Sequence, residues 1–354
     1  MREKLQKIRY IYGLCKKRAE EGHLSTFRQI MEIMWLQVTR GIGYSAYHFA
    51  SMWDKNATWG YKISFLGQRN FVKKIHQINQ RKFHGVTQHK PFEKAIFKLF
   101  NIPSADYVGV LNGTWGVTEQ GHNLRTEDDL YDLLKSHVNE KICFKLLEGF
   151  DGNGFKAYEI IAKDGHIVAC HLSSREDITI NALFSALQEE SFEGWLLEKY
   201  IVQHPTLRAL NPSSLNTVRV YVLENKAGEI CLLPAFLRIG CENSLVDNGA
   251  AGGTLCLINM ETGALHKAYK FKPDLIGMSR HPDHGAQIEG VVIPYWQEAI
   301  ELGKKMLAVL PGTRFAGFDI SITPDGPVMI EVNIQPAPDG FYFMRTPTAR
   351  VFDE

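Results

Sequence analysis

The sequence predicts an α+β fold preceded by a mainly helical N-terminal region. In residues 1–89, apolar side chains recur every three or four residues, as in amphipathic helices. After residue 90, apolar runs of strand length alternate with helical patterns. At roughly 150 residues per domain, a chain of 354 residues favours two or three lobes. We expect the boundaries at 1–89, 90–200 and 201–354.

The N-terminal region contains three candidate helices. The first carries Leu5, Ile8, Tyr12 and Cys15 at helical spacing between many Lys and Arg residues, and the others cover 27–38 and 70–83. Such basic amphipathic helices can contact an anionic membrane or an acidic partner. They can equally be the solvated face of helices that pack on the rest of the protein, and the sequence leaves both interpretations open.

The elements after residue 90 follow in a clear order. A helix is predicted over 91–100, and a long helix fits 295–310 between two prolines. The candidate strands are 141–145, 195–201, 218–223, 230–237, 253–259, 315–322 and 328–332.

Composition excludes several classes of protein. The chain is 45% hydrophobic and 22% charged, which is typical of a folded globular protein. Forty Lys and Arg balance 39 Asp and Glu, so we expect no nucleic-acid partner. Six scattered Cys residues without a CxxC pair indicate reduced thiols. No run is long and apolar enough to cross a membrane, and no signal peptide is evident, so we expect a cytoplasmic protein without a transmembrane segment.

The most informative segment lies near the C-terminus. Two apolar strands flank an Asp-Gly turn at 325–326, which predicts a hairpin. Glu331 and Asn333 share one side of their strand, and Asp319 lies near the facing position. Two carboxylates and an amide oxygen suit Mg²⁺ held against nucleotide phosphates. An ordinary hairpin with surface acids is the alternative.

A lysine followed by glycines forms a second candidate site. Lys145 ends a predicted strand, and Gly149, Gly152 and Gly154 follow it. Glycines let backbone N–H groups approach phosphate oxygens, and the lysine supplies a positive charge. The order differs from the phosphate-binding loop GxxxxGK[ST], and a glycine-rich hairpin with a solvated lysine remains possible.

Three further segments carry polar groups on apolar strands. The strand ending at 198–201 can present backbone groups to a purine edge. Arg219 lies on a strand and can bind a phosphoryl group or a carboxylate. The third segment runs from Arg238 to two adjacent glycines at 252–253. Each has a purely structural alternative.

In order and spacing, these segments resemble the ATP-grasp superfamily of carboxylate–amine ligases over residues 90 to about 340. The resemblance implies an ATP-grasp fold, in which two α+β lobes clasp ATP. It implies phosphate contacts from Lys90 and Lys145, and an arginine, Arg219, that faces the transferred phosphate. Adenine would be held by the hinge residues Glu198, Lys199, Tyr200 and Ile201. The implied magnesium ligands are Asp319, Glu331 and Asn333.

Two narrower resemblances concern the substrates. Arg238, Asn248, Gly252 and Gly253 resemble a segment of ligases that add glutamate to a ribosomal protein, and they are the candidate substrate face. The segments 198–205, 214–219 and 281–283 resemble the sugar-transfer-associated ATP-grasp group, whose members are often linked to surface polysaccharides. His281 is expected in a substrate-facing loop, with a metal site at 281–284 as the alternative.

Two features depart from the family pattern. Residues 1–89 contain no convincing Rossmann-like lobe. Residues 201–218 contain no acidic residue to hold the ribose, so Gln203, His204 or Asn216 would have to substitute.

Together these features predict an ATP-dependent ligase with ATP and Mg²⁺ as cofactors. It would join small-molecule or sugar-linked carboxylate and amine substrates through an acyl phosphate. Phosphotransfer to a hydroxyl and a non-catalytic nucleotide-binding scaffold are the competing hypotheses.

Overall fold

The computed structural model describes residues 2–149, 152, 154–249 and 252–352, with side chains described from residue 5 onwards. It contains an N-terminal group of helices and two seven-stranded antiparallel sheets. The predicted α+β class and the helical N-terminal region are confirmed.

The N-terminal region is built from short and medium helices. They are α1 (Arg2–Glu20), α2 (Thr26–Arg40), α3 (Tyr44–Phe49), α4 (Trp59–Ile63), α5 (Gln68–Ile78), a 3-10 turn (Arg81–Phe83) and α6 (Gly85–Gln88). Helix α2 has defined ends, because the Ser25 hydroxyl accepts a hydrogen bond from the Arg28 N–H and Gly41 adopts a left-handed conformation. The helix predicted over 70–83 ends at Ile78, where Asn79 turns into extended backbone.

The small sheet follows helix α7 (Lys90–Leu99) in the chain. Its strands are β1 (Tyr107–Leu111), β2 (Val117–Thr118), β3 (Lys141–Leu146), β4 (Lys156–Lys163), β5 (His166–His171), β6 (Asp177–Thr179) and β7 (Trp195–Lys199), in the order β2-β1-β7-β3-β4-β5-β6. Helices α8 (Glu127–Lys135) and α9 (Ile180–Glu190) contribute leucines to its core.

The large sheet follows helix α10 (Pro205–Leu210). Its strands are β8 (Thr217–Glu224), β9 (Ile230–Ile239), β10 (Thr254–Ile258), β11 (Leu265–Lys270), β12 (Gly277–Met278), β13 (Phe315–Thr323) and β14 (Gly326–Asn333), in the order β12-β11-β10-β9-β8-β13-β14. The remaining helices are α11 (Trp296–Val309), α12 (Asp339–Phe343) and α13 (Thr348–Val351).

The large sheet is covered on both faces. Helix α11 buries Trp296, Met306 and Leu307 in a core with alternate residues of β8, β9 and β13. A second core joins Phe71 of α5 and Phe341 of α12 to Tyr221 and Phe315 of the sheet. The N-terminal helices therefore cover a face of the large sheet.

One expected boundary differs from the structure. We expected the small lobe to begin at residue 90, yet Phe97 of α7 lies in the core of the large sheet. The Met329 N–H of β14 donates to the Pro103 carbonyl at 2.7 Å, so the segment after α7 is also bonded to the large sheet. Residues 90–103 thus belong with the large sheet, and the small sheet begins at β1.

Candidate nucleotide and metal site

A cleft lies between the two sheets and gathers most of the predicted site residues. Twelve of them line it: Lys90, Lys145, Gly149, Gly152, Glu198, Tyr200, Arg219, Arg238, Asn248, Asp319, Glu331 and Asn333. They come from α7, the small sheet, the large sheet and two connecting loops.

The C-terminal hairpin forms with the expected register. Strands β13 and β14 pair so that Asp319 faces Glu331 and Gly317 faces Asn333. On the other side of β13, Asp319 faces Arg219 of β8. Cross-strand neighbours on one face of a sheet lie within side-chain contact, so this register assembles the polar group in the cleft.

Both oxygens of the buried Asp319 carboxylate are held by arginines. Arg219 binds the carboxylate in a two-pronged manner, with Nη2 to Oδ2 at 2.9 Å, and Arg238 Nη2 contacts the same Oδ2 at 2.8 Å. Burial alone would raise the pKa of Asp319, but the attraction of Arg219 and Arg238 outweighs it and lowers this pKa. Asp319 is therefore an anion that fixes two guanidinium groups at the cleft.

Glu331 and Asn333 present groups without a fixed partner. The Glu331 carboxylate has no hydrogen bond or ion pair within the described residues, and burial followed by repulsion from Asp319 raises its pKa. The buried Asn333 amide nitrogen has no hydrogen-bond partner there either. A raised carboxylate pKa beside a neighbouring carboxylate is the environment that a divalent cation relieves.

The fit to Mg²⁺ thus rests on oxygen donors of Glu331, Asn333 and Asp319. Among the residues that the structure describes, no group of three His, Cys, Asp or Glu side chains is arranged to hold a metal. The amide of Asn333 would complete the set, and Asp319 would share its oxygens with the two arginines. Hard oxygen donors of this kind match Mg²⁺, which retains several waters.

Glu198 balances two lysines inside the cleft. Its side chain is 1% exposed and pairs with Lys145 of β3 and with Lys94 of α7. Burial would raise the Glu198 pKa, but Lys145 and then Lys94 lower it to about 2. In the expected hinge, the Glu198 carboxylate therefore serves as the counter-charge of both lysines.

Lys94 and Glu93 are site residues that the sequence analysis missed. Both lie on α7 within one turn of Lys90 and line the cleft. The Glu93 carboxylate is 3% exposed and accepts a hydrogen bond from the Val332 N–H at 2.7 Å. Burial and then the charge of Glu331 raise its pKa to about 8. The sequence did contain a signal for them: Lys90, Glu93 and Lys94 are charged residues at positions i, i+3 and i+4, which places them on one face of an otherwise amphipathic helix.

The glycine segment approaches the cleft from the small sheet. Lys90 Nζ donates to the Gly149 carbonyl at 2.8 Å. Gly152 and Gly154 both have left-handed φ angles, +72° and +71°. A Cβ at Gly152 would lie 3.0 Å from Val246 of the large-sheet side, so this segment reaches across the cleft. Residues 150, 151 and 153 of the predicted loop lie outside the described residues.

The expected adenine hinge lies at the end of β7. The Tyr200 N–H donates to the Lys141 carbonyl at 2.8 Å, whereas no hydrogen bond from the Ile201 N–H is found in the described part of the chain. The Lys199 side chain points away and pairs with Glu140 at 2.9 Å. Apolar side chains that the sequence analysis did not single out also line the cleft: Leu146, Phe155, Leu196, Leu215 and Ile330.

The expected substrate face is held by a polar cluster. Arg238 donates to the Thr217 hydroxyl and lies 3.5 Å from Asp247, which accepts the Thr217 N–H at 2.9 Å. Burial raises the Asp247 pKa. Gly253 lies behind the cleft, where a Cβ would come within 2.7 Å of the Asp247 carbonyl. Its lack of a side chain lets the loop with Asp247 and Asn248 pack against β10.

Several expected residues have structural roles instead of lining the cleft. His204 caps α10 by accepting the Thr206 N–H, and Gln203 and Asn216 hydrogen-bond to each other inside the protein. Buried His281 bonds to the Gly240 carbonyl at 2.9 Å. Ile201, Gly154 and Gly252 also lie outside the lining, so the ribose ligand and the substrate role of His281 find no support in these positions.

A family comparison matches most of this architecture. Residues 72–342 match the family model described as sugar-transfer associated ATP-grasp. The chain therefore belongs to this ATP-grasp family. No curated protein matches the chain closely enough to count as a relative.

Solved structures show more distant similarity. An N5-carboxyaminoimidazole ribonucleotide synthetase with ADP is 16% identical over 76% of this chain and 52% of its own, with a TM-score of 0.43. D-alanine–D-alanine ligase from Bacillus anthracis is 16% identical over 76% and 65%, with a TM-score of 0.40. The biotin carboxylase domain of Hydrogenobacter thermophilus 2-oxoglutarate carboxylase is 14% identical over 75% and 45%, with a TM-score of 0.42. The chain thus spans about half to two thirds of the lengths of these proteins.

Proposed function

We propose that the protein is an ATP-dependent carboxylate–amine ligase that forms an amide through an acyl phosphate and releases ADP and phosphate. The observation that carries this proposal is the group of cationic side chains in one cleft, opposite free oxygen donors on β14. Lys90 and Lys94 of α7, Lys145 of the small sheet, and Arg219 and Arg238 of the large sheet all line this cleft. Phosphoryl transfer depends mainly on such positioning and charge stabilisation.

Each cation has a proposed task set by its position. Lys90 and Lys145 neutralise the α- and β-phosphates, and Glu198 keeps Lys145 protonated and directed into the cleft. Arg219 and Arg238, fixed by Asp319, stabilise the charge on the phosphoryl group during transfer. Mg²⁺ bound by Asp319, Glu331 and Asn333 would screen the β- and γ-phosphate charges. The hinge at the end of β7, of which Glu198 and Tyr200 line the cleft, would hold adenine.

The proposed reaction has two steps. A carboxylate oxygen of the first substrate attacks the γ-phosphorus of ATP, which forms an acyl phosphate and releases ADP. The amine then attacks the acyl carbon, the phosphate leaves, and the amine loses a proton. Gly149 and Gly152, which line the cleft, would help to exclude water, which would otherwise hydrolyse the acyl phosphate.

The substrates are proposed only by class. Asn248 and the cluster of Arg238, Thr217 and Asp247 offer an amide, a guanidinium group and a carboxylate at the end of the cleft. An amino acid, a uronic acid or a sugar-linked amine would match these groups. A cytoplasmic role in surface-polysaccharide assembly is part of this proposal, and the family's association with sugar transfer supports only its link to sugars.

The test is trapping of the acyl phosphate with hydroxylamine. The protein is incubated with Mg²⁺-ATP, hydroxylamine and pools of amino acids or uronic acids. We expect carboxylate-dependent release of ADP and phosphate together with a hydroxamate. AMP and pyrophosphate would indicate adenylation instead, and a phosphorylated alcohol formed without amine would indicate phosphotransfer. ATP binding without turnover in any pool would favour a nucleotide-binding scaffold.

A further inference from the structure

A continuous band of apolar side chains is exposed on helix α2. Five residues at three- and four-residue spacing fall within one arc of about 100° and are between 44% and 86% exposed: Phe27, Met31, Met34, Trp35 and Val38. Trp59 of α4 extends the band, since its ring centroid lies 4.9 Å from that of Trp35. We call these six residues the N-terminal apolar patch. Large exposed apolar patches usually mark interaction surfaces.

The opposite face of α2 already forms the core contact. Ile33 and Leu36 are buried there, so the patch is not a misplaced core face. The one carboxylate of α2, Glu32, is also buried and lies 2.6 Å from Lys62 and 3.1 Å from Arg28. Helix α2 therefore exposes no acidic side chain, and its exposed polar side chains are Arg28, Gln37 and Thr39.

The charge of the chain is divided unevenly around this patch. Residues 1–89 contain 16 Lys and Arg but only five Asp and Glu, whereas the remaining residues contain 24 and 34. The near-neutral chain thus has a strongly basic N-terminal region and an acidic remainder. Helix α1, which contacts α2, exposes Lys7 and Arg9 along with Leu5, Ile8 and Tyr12. Lys16 and Lys17 are exposed as well and pair with Glu20 and Glu21 at 3.7 and 4.0 Å.

We propose that the N-terminal apolar patch seats the protein on an anionic bilayer surface. Tryptophan and phenylalanine favour the boundary between headgroups and acyl chains, and nearby Lys and Arg are attracted to anionic lipids. A nucleic acid would use the positive charge but not the exposed Val38, Met31 and Met34. No helix within the described residues has the length and apolar composition needed to cross a bilayer, so the contact is peripheral.

The position of the patch agrees with a role separate from nucleotide chemistry. The patch lies entirely before residue 72, where the family match begins. None of its six residues lines the cleft. This inference therefore goes beyond the proposed ligase function and stands without it.

The test is cosedimentation of the full chain with vesicles of phosphatidylcholine alone or with about 30% phosphatidylglycerol, at about 0.15 M salt. We expect binding to the anionic vesicles and at least about tenfold weaker binding to the neutral ones. The triple variant Phe27→Ser, Trp35→Ser, Val38→Ser should weaken anionic binding by about tenfold or more. Phe192→Ser is the matched control, because Phe192 is 92% exposed but lies far along the chain in the acidic part.

Three results would overturn the proposal. The full chain could stay in the supernatant with anionic vesicles, or the triple variant could bind as well as the parent. The third is concentration-dependent self-association in sedimentation velocity that the triple variant abolishes, which would assign the patch to a second copy. Circular dichroism and Mg²⁺-ATP binding of the triple variant should match the parent. This control distinguishes a specific loss of vesicle binding from misfolding of the chain.

Discussion

Glu198 determines the charge balance of the cleft. Its buried carboxylate pairs with Lys94 and Lys145, so one buried negative charge meets two positive charges on largely buried side chains. The excess positive charge is directed to the same cleft as Arg219 and Arg238. Such an arrangement is costly without an anionic ligand, which is consistent with a site for polyphosphate.

Removing this charge should destabilise the fold. We predict that Glu198→Gln lowers the free energy of unfolding by about 3–5 kcal/mol, because two buried ammonium groups lose their counter-charge. Lys199→Met is the control, since Lys199 pairs with Glu140 at the surface and its loss should change stability by less than about 1 kcal/mol. Urea unfolding measures both. Equal effects of the two substitutions would contradict the assignment.

Glu93 should make stability depend on pH. Its pKa is raised from an ordinary 4.5 to about 8 in the folded protein, so the folded state keeps a proton that the unfolded state loses. This contribution to stability is present at low pH and is lost as the pH rises from about 5 to 8. We predict that Glu93→Gln flattens the decline, because glutamine still accepts the Val332 N–H but does not ionise.

The pH test compares unfolding free energies of three proteins from about pH 5 to 8. Glu298→Gln, an exposed position on α11, should retain the slope of the parent. If the unfolding free energy of Glu93→Gln fell with pH as steeply as that of the parent, Glu93 would not be the source of the pH dependence.

At the residue scale, the sequence indicated the proposed magnesium ligands better than the partners of the other cleft residues. The alternation of Glu331 and Asn333 and the position of Asp319 follow from the period of a strand, and the register agrees. That Glu198 would pair with Lys94, 104 positions earlier, depends on the packing of α7 against the cleft. No local pattern contains that contact. His204 is a case in which the sequence suggested a ligand and the structure shows a structural role. Its polar side chain caps a helix, and sequence alone does not distinguish that role from ligand binding.

At the scale of elements, the glycine segment shows how a missing side chain can preserve the shape of the cleft. Gly154 has a φ of +71°, and a Cβ there would lie 2.5 Å from Leu146, whose side chain lines the cleft. We predict that Gly154→Ala weakens ATP binding by about tenfold, because Leu146 must move into the space for the nucleotide. Isothermal titration calorimetry with Mg²⁺-ATP measures this effect.

Gly165→Ala is the matched control for Gly154→Ala. Gly165 also has a left-handed φ, +81°, but nothing lies within 4 Å of an added Cβ. It carries the same backbone strain without the contact, so its ATP affinity should stay near that of the parent. Equal loss in both variants would assign the effect to strain alone.

Element prediction succeeded where the pattern was strong. The hairpin of β13 and β14, the long helix α11 and most strands of the large sheet occur where apolar runs and turn residues placed them. Strands β4, β5 and β11 were missed, because polar residues interrupt their alternation: Lys and Glu in β4, His at both ends of β5, and His and Lys in β11. Helices α8 and α9 were also missed, although Thr126 and Asp129 form a capping box at the start of α8.

At the scale of the whole molecule, the N-terminal helix α5 packs into a core of the large sheet. Phe71 of α5 is fully buried against Phe315, Phe341 and Phe352. We predict that Phe71→Ala costs about 3–5 kcal/mol and lowers the stability of the large sheet as well. Thermal unfolding should show a single transition shifted to lower temperature.

Phe192→Ala is the control for this prediction, because its exposed side chain should contribute less than about 0.5 kcal/mol. A separate early transition in Phe71→Ala, with the rest of the molecule unchanged, would mean that the helices fold independently. The sequence could not predict this attachment, since contacts between α5 and β13 join residues more than 200 positions apart.

The proposed chemistry requires that the cleft bind ATP through Mg²⁺ held by the β13–β14 hairpin. Calorimetric titration of ATP into the parent and Glu331→Gln, with and without Mg²⁺, tests it most directly, with Asp325→Asn in the exposed turn as control. We predict Mg²⁺-dependent binding in the parent and the control, and loss of the Mg²⁺ dependence in Glu331→Gln. Absence of ATP binding in the parent, or an unchanged Mg²⁺ dependence in Glu331→Gln, would contradict the account.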